Sequence, residues 1–388
     1  MRKITVFTGT RAEYGLLYWI IKGLSEAVDI ELLLYVGGSH LSQKYGNTVR
    51  HIEEDGFRIS ERLDFLDSSD TPTGIAKSMG SALVLAAEAF QRDKPDLLVV
   101  LGDRFEVMAI CQAAMLGCIP IAHIHGGETT EGVIDEAARH SITKMSHLHF
   151  TSTDVYRNRV IQLGESPERV FNVGAPGIDS IMSLKLLDRE ALTGSLDFDV
   201  TGPFIVVTYH PVTLSKDGAV LALENLLCVL ATYTDFKFII TYPNADTHNQ
   251  GLINALDVFK EKYCDQVLLV RSLGHLRYLS LLKYCEAVIG NSSSGLIEAP
   301  AFHKPTVNIG CRQRGRIRGG TVIDSDEDIL SITNSLARAM SDEFRNECLS
   351  GQNPYGLGGS SRKILDTIKN ISLDDLIFTT NNTHWSNI

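Results

Sequence analysis

Leu97-Leu98-Val99-Val100-Leu101-Gly102-Asp103-Arg104 is the stretch on which the reading of the fold turns. Five consecutive apolar residues leave no polar face, so as a strand they need cover on both sides, the condition of a parallel sheet lying between helices. The run stops at a glycine, which admits a sharp turn, and two charged residues follow at the strand tip. Apolar runs of the same kind occur at residues 4–7, 30–36, 119–124, 148–151 and 170–173. Helical or irregular sequence separates them; within residues 11–26, Leu16, Leu17, Ile20, Ile21 and Leu24 share one helix face.

The alternation pauses at residues 183–202, where polar and turn residues collect and the linker between domains is expected. It resumes with apolar runs at 204–209, 236–241, 267–270, 287–290 and 306–309, with helical patterns at 219–232, 248–262, 275–284 and 326–341 and a last one at 360–370. A chain of 388 residues also exceeds the size, roughly 250–300 residues, at which a single core stops growing. We therefore expect an α/β protein of two Rossmann-like doubly wound domains facing each other. Residues 1–182 form the first, 203–358 a nucleotide-binding second, and 359–388 a C-terminal helix and tail. Ligands of such sheets sit beyond the carboxyl ends of the strands, at the switch point of strand order. The active site is expected in the cleft between the domains.

Hydrophobic residues at 44% and charged residues at 21% are ordinary for a globular protein. A net charge of −11 argues against a general nucleic-acid binder. No apolar stretch is long enough for a signal peptide or a bilayer span. Seven scattered cysteines form no C-x-x-C pair, which suits a reducing, cytoplasmic setting.

The strand tips carry the chemistry. Gly9-Thr10-Arg11 offers backbone room and a cation that can grip phosphate, or merely a surface arginine at a turn. Asp103 reads as a helix N-cap, a catalytic carboxylate or both at once, with Arg104 beside it. His123 and His125 share a face by strand alternation. Two histidines without further ligands make a poor metal site, so no metal is expected; Gly9-Thr10-Arg11 is not the G-x-G-x-x-G fingerprint, so no nicotinamide cofactor is expected. His125 and Glu128 flank a glycine pair suited to sugar contacts. Asp135 and Glu136 open a helix, as dipole complement or as general acid/base.

In the second half, His210 projects at a strand end, and Asn244 and Asp246 follow the next strand. Ser292, Ser293, Ser294 and Gly295 precede an apparent helix and suit an anion cradle, with Glu298 in its first turn as a ribose contact. Arg312 leads a loop of four arginines in an acidic chain, either a solvated surface or a nucleotide site.

The ordered motifs are Gly-Thr-Arg-Ala-Glu-Tyr-Gly at 9–15, Gly-Asp-Arg at 102–104, His-Ile-His-Gly-Gly-Glu at 123–128, Asp-Glu-x-x-Arg-His at 135–140, His-Pro at 210–211, Asn-Ala-Asp at 244–246, Gly-Asn-Ser-Ser-Ser-Gly at 290–295 and Arg-Gln-x-Gly-Arg at 312–316. Together they resemble the UDP-N-acetylglucosamine 2-epimerase family over nearly the whole chain. The closest likeness is to its hydrolysing branch in bacterial sialic and legionaminic acid synthesis. The resemblance implies a GT-B-like pair of domains, a UDP-linked N-acetylated amino sugar as ligand, no cofactor, and a homodimer or homotetramer. It makes Asp103 and Asp135 catalytic carboxylates, His210 a catalytic histidine beside the diphosphate, and Arg11 a phosphate contact. Ser292 and Ser293 become diphosphate contacts, Glu298 a ribose contact and Arg312 a uridine or phosphate contact. Several members of the family carry a glutamate where this chain has His125. Either Glu128 stands in for it, or the work falls to Asp103 and Asp135. The alternatives are a non-hydrolysing epimerase, a glycosyltransferase on the same architecture and an inactive nucleotide-sugar sensor.

Overall fold

The computed structural model describes residues 1–69, 71–130, 134–210, 218–243, 250–373 and 376. Two parallel sheets organise the chain. The first contains β1 (Arg2–Thr8), β2 (Ile30–Gly37), β3 (Ile59–Leu63), β4 (Leu97–Leu101), β5 (Ile121–Ile124), β6 (Leu148–Thr151) and β7 (Val170–Asn172), in the order β3-β2-β1-β4-β5-β6-β7. The second contains β8 (Phe204–Thr208), β9 (Lys237–Thr241), β10 (Val267–Val270), β11 (Ala287–Gly290), β12 (Thr306–Ile309) and β13 (Val322–Ser325), in the order β10-β9-β8-β11-β12-β13. Strand order reverses between β1 and β4 in the first sheet and between β8 and β11 in the second. Each sheet is doubly wound.

The central strands are buried end to end, as their composition requires: every residue of β4 and of β8 is buried. Two strands were not expected. Both β3 and β13 lie at sheet edges and are partly exposed, so neither is a continuous apolar run.

The chain divides into two compact units. Residues 1–128, 135–180 and the chain from 358 onward make the first; residues 129–134 and 181–357 make the second. The stretch at 183–202, expected as a linker, holds the helix Arg189–Leu196. Asp188 caps it by accepting from the Ala191 N–H at 2.9 Å, and Leu192 and Val200 are fully buried with Phe204 and Val206 of the second unit. Its polar residues are caps and an exposed face rather than a tether. The helix Ser360–Asn370 belongs to the first unit, where Ile364 and Ile368 pack with Leu17, Ile20 and Ile21. Among the described residues no helix is long and apolar enough to cross a membrane.

Candidate active site

At the switch point of the first sheet, β1 runs into Gly9 and the N-cap Thr10 of the helix Arg11–Ser25. Thr10 and Glu13 form a reciprocal capping box, and the Glu13 carboxylate also accepts from the Gly9 N–H at 2.8 Å. Arg11 is thereby held, half-buried, as the first helical residue. Glu106, from the helix after β4, reaches the same turn, since a Cβ on Gly9 would lie 2.9 Å from its Cγ. Burial, followed by the charge of Glu106, pushes the Glu13 carboxyl up to about 8. Arg104 Nε donates to Glu106 at 2.7 Å.

The N-cap of the helix Phe105–Leu116 is Arg104, whose side chain makes no capping hydrogen bond. Asp103 lies one residue before the cap. Its carboxylate instead accepts from Arg139, whose guanidinium is 1% exposed. Arg139 also donates to Glu136 at 2.8 Å and to the Glu128 carbonyl at 2.9 Å. One buried cation thus gathers Asp103, Glu136 and the Glu128 loop. These acidic neighbours keep Arg139 charged and raise its pKa against the opposing cost of burial. Asp135, half-buried, is the first residue of the same helix, Asp135–Met145.

β5 stops at Ile124, and the backbone of His125 turns left-handed at φ 68°. The two histidines read as sharing a face therefore do different things. His123 hydrogen-bonds the Gly102 carbonyl at 2.7 Å, and His125 Nδ1 meets Glu128 Oε1 at 2.6 Å. Ser152 donates to that same Glu128 oxygen at 3.0 Å. Glu128, 2% exposed, is thus the carboxylate partner of an imidazole. Among the described residues no group of three or more His, Cys, Asp or Glu could hold a metal ion.

At the switch point of the second sheet, Gly290 ends β11 at φ 135°, so close to β8 that a Cβ would overlap the Thr208 carbonyl. The next residue, Asn291, brackets His210: its Oδ1 accepts from the His210 N–H at 2.7 Å and its Nδ2 donates to the His210 carbonyl at 2.8 Å. The Asn291 carbonyl in turn accepts from Arg312 at 3.0 Å and Gln313 at 2.8 Å. One asparagine therefore joins His210 to the arginine loop.

Ser292 Oγ accepts from the Ser294 N–H at 3.4 Å, and Tyr278 donates to Ser294 Oγ at 2.6 Å. The helix expected here is one turn, Ser294–Ile297, followed by a 3-10 turn, Ala299–Phe302, with Pro300 near its start. Proline has no N–H to continue the α pattern. Glu298 accordingly follows the turn as its C-cap instead of lying in its first turn, a correction to the expectation. Gly295 is buried against Thr306, whose Cγ2 would be 2.7 Å from an added Cβ. Asn244 and Asp246 lie outside the described residues.

A profile of the UDP-N-acetylglucosamine 2-epimerase family matches residues 22–369. The chain belongs to this family. It is similar to the GDP/UDP-N,N'-diacetylbacillosamine 2-epimerase (hydrolyzing) of Campylobacter jejuni, at 37% identity over 377 residues that cover 97% of each chain. A polysialic acid biosynthesis protein of Escherichia coli is 39% identical over 382 residues, 96% of each chain. Among solved structures, the UDP-GlcNAc 2-epimerase from Neisseria meningitidis bound to UDP-GlcNAc shares the fold, with TM-score 0.82 at 20% identity over 96% of this chain and 100% of that one.

In this member of the epimerase family, three residues that organise the strand tips are absent from the expected set: Arg139, Asn291 and Gln313. Each stands inside or beside a motif. The only signal in the sequence was that the motifs contain them; their burial and their distant partners arise from the fold.

Proposed function

We propose that the chain is a cytoplasmic, hydrolysing 2-epimerase of a UDP-linked 2-acetamido sugar, releasing UDP and the free sugar inverted at carbon 2. The observation that carries this reading is the grouping of Asp103, Glu136 and the Glu128 loop on buried Arg139 at the switch point of the first sheet. Full-length similarity to a hydrolysing UDP-sugar 2-epimerase supports it.

The hydrogen on carbon 2 is not acidic, because no neighbouring carbonyl stabilises a carbanion. Breaking the bond from carbon 1 to the UDP oxygen makes it removable, since positive charge then develops at carbon 1. UDP leaves with the bonding electrons, a carboxylate takes the carbon 2 proton, and a 2-acetamidoglycal forms. Water then adds its oxygen to carbon 1, while an acid delivers a proton to carbon 2 from the opposite face. The sum is UDP-sugar plus water to UDP plus the 2-epimeric sugar.

Asp103 and Asp135 are the acid–base pair in this reading. Glu128 acts through the imidazole of His125 or beside it. Arg11, Arg104 and Glu136 contact the substrate. His210, Ser292, Ser293, Ser294, Gly295, Glu298 and Arg312 bind the nucleotide, with Asn244 and Asp246 following β9. Donors aimed at the departing diphosphate stabilise charge as it forms, an effect worth about 10²–10³ in rate per donor. The substrate is UDP-N-acetylglucosamine or UDP-N,N'-diacetylbacillosamine, and the product, N-acetylmannosamine or its 4-acetamido-6-deoxy analogue, feeds nonulosonic acid synthesis. Assembly as a homodimer or homotetramer belongs to the same reading.

Incubation with each UDP-sugar in labelled water tests it. The expected result is free UDP without solvent oxygen, and a free sugar with one solvent deuterium at carbon 2 and, before exchange, solvent oxygen at carbon 1. Interconversion of intact UDP-sugars without UDP release would establish the non-hydrolysing reaction instead, and label in UDP would show P–O cleavage.

A further inference from the structure

Gly102 is left with an unusual carbonyl. Its N–H still donates to Ile124 O at 3.0 Å, continuing the pairing of β4 with β5. Its own φ is 86°, and β5 has ended at Ile124; His125 still pairs with β6, donating to Phe150 O, but turns left-handed, so the Gly126 N–H, next in the ladder toward β4, is not delivered to the Gly102 carbonyl. The ladder partner of the Gly102 carbonyl is gone, and such a group needs another donor. The fully buried ring of His123 supplies it, Nε2 to oxygen 2.7 Å.

A carbonyl only accepts, so Nε2 carries the proton and Nδ1 presents a lone pair. Thr143 Oγ1 lies 3.2 Å from that lone pair and 3.0 Å from the Arg139 carbonyl one turn earlier in its helix; its single proton serves one of these acceptors at a time, and in either case the hydroxyl packs the ring against the helix. The imidazole therefore spans from the tip of β4 to the helix that carries Asp135, Glu136 and Arg139. Gly126 is shaped around this bridge, because a Cβ there would lie 3.1 Å from both His123 Nδ1 and Thr143 Oγ1. Burial favours the neutral ring, with His149, Arg139 and Asp103 as its charged or titratable neighbours.

Asp103 is thus gripped twice: its side chain by Arg139, and the peptide preceding it by His123. Both grips lead to one helix. We infer that His123 is a positioning residue for the Asp103 carboxylate, acting as a neutral Nε2–H donor that fixes the Gly102–Asp103 peptide against the helix Asp135–Met145. This rests on the proposed function, in which Asp103 is an acid–base group. No substrate contact is required of His123.

The test compares His123→Leu, His123→Asn and His123→Gln with Thr143→Val and Thr143→Ser. Glutamine places an amide N–H near the position of Nε2; asparagine, one methylene shorter, does not. Misplacing a reacting group by about 1 Å costs up to ~10²-fold. His123→Leu and His123→Asn should lower kcat by about 10–10²-fold with KM within about two-fold, and His123→Gln should recover most of the loss. Thr143→Val should fall in the same direction and Thr143→Ser should be restored, which keeps the inference testable if His123→Leu does not fold. On an Asp103→Asn background the His123→Leu loss should vanish. Turnover that is equally low in His123→Gln and His123→Leu, or losses that multiply with Asp103→Asn, would overturn the inference. Wild-type protein without turnover on any UDP-sugar would instead refute the proposed function and remove this role with it.

Discussion

Replacing Arg139 by methionine removes the cation that joins three acceptors at the first switch point. Asp103 and Glu136 have side chains 23% and 30% exposed, so water can partly replace the guanidinium there. It cannot easily reach the Glu128 carbonyl, because Glu128 is 2% exposed. Breaking a buried ion pair from one side costs about 3–5 kcal/mol, and the partial exposure of two partners puts this case near the lower end, ~3 kcal/mol. For a unit of this size that is a fall in Tm of roughly 6–12 °C. The catalytic loss should be larger than the loss of stability suggests, because Asp103 is released as well: about 10²–10³-fold in kcat, measured by UDP release well below the variant's Tm. If Arg139 acts on the chemistry through Asp103, the two changes overlap. Adding Asp103→Asn to Arg139→Met should then cost less than about three-fold more, whereas independent sites multiply. Losses that multiply across the cycle would refute the reasoning, as would Arg139→Met with near-normal kcat.

Three other outcomes are expected. Glu13, with its carboxyl pushed up to about 8 by burial and then by Glu106, keeps a proton in the folded chain that the unfolded chain sheds near 4.5. Its contribution to stability is complete below that lower value and is lost as pH rises through about 8, so wild-type Tm should fall between about pH 5 and about pH 8.5 relative to Glu13→Gln; parallel Tm–pH curves would contradict this. Gly290→Ala drives a methyl group into the Thr208 carbonyl at a backbone angle alanine avoids, so the second unit should fail to fold and soluble, cooperatively melting protein would count against the geometry. Turnover should survive EDTA undiminished, and loss of activity restored by a divalent ion would reverse the expectation of metal-free catalysis.

Much of the fold was legible because central parallel strands must be apolar on both faces, and β4 and β8 announce themselves that way. Two of the four edge strands were not legible: β3 and β13 carry polar residues within Ile59–Leu63 and Val322–Ser325 and lack the continuous run, whereas the edges β7 and β10 were read from their apolar residues. At the site, the strand tips were readable and the wiring was not. Asp103 satisfied the local signature of a cap, and only the position of Arg139, far along the chain, shows that its carboxylate is used otherwise. An arginine in Asp-Glu-x-x-Arg-His reads as a solvated cation until the helix is docked and its guanidinium is sealed off. His125 and His123 follow strand alternation on paper, but a left-handed residue at the strand end defeats it. Glu298 was misplaced for a simpler reason, a helix cut to one turn before Pro300.

The route of the chain also has a temporal meaning. The first unit is interrupted after Ser180 and resumes at Gly358, when all of the second unit has been made. Its closing piece, the helix Ser360–Asn370, is capped by Asp179, which accepts from the Ser360 N–H at 3.0 Å and the Ser361 N–H at 2.5 Å. Leu365 lies against Gly23, where any side chain would collide with it. Domains generally mature in the order of synthesis, but here that order is inverted: the second unit can complete its core on the ribosome while the first waits for the residues from 358 onward. A growing chain therefore carries the face of the helix Arg11–Ser25 uncovered until the helix Ser360–Asn370 has been made, and its need for chaperone shelter should concentrate at the first unit, begun before the second and completed after it.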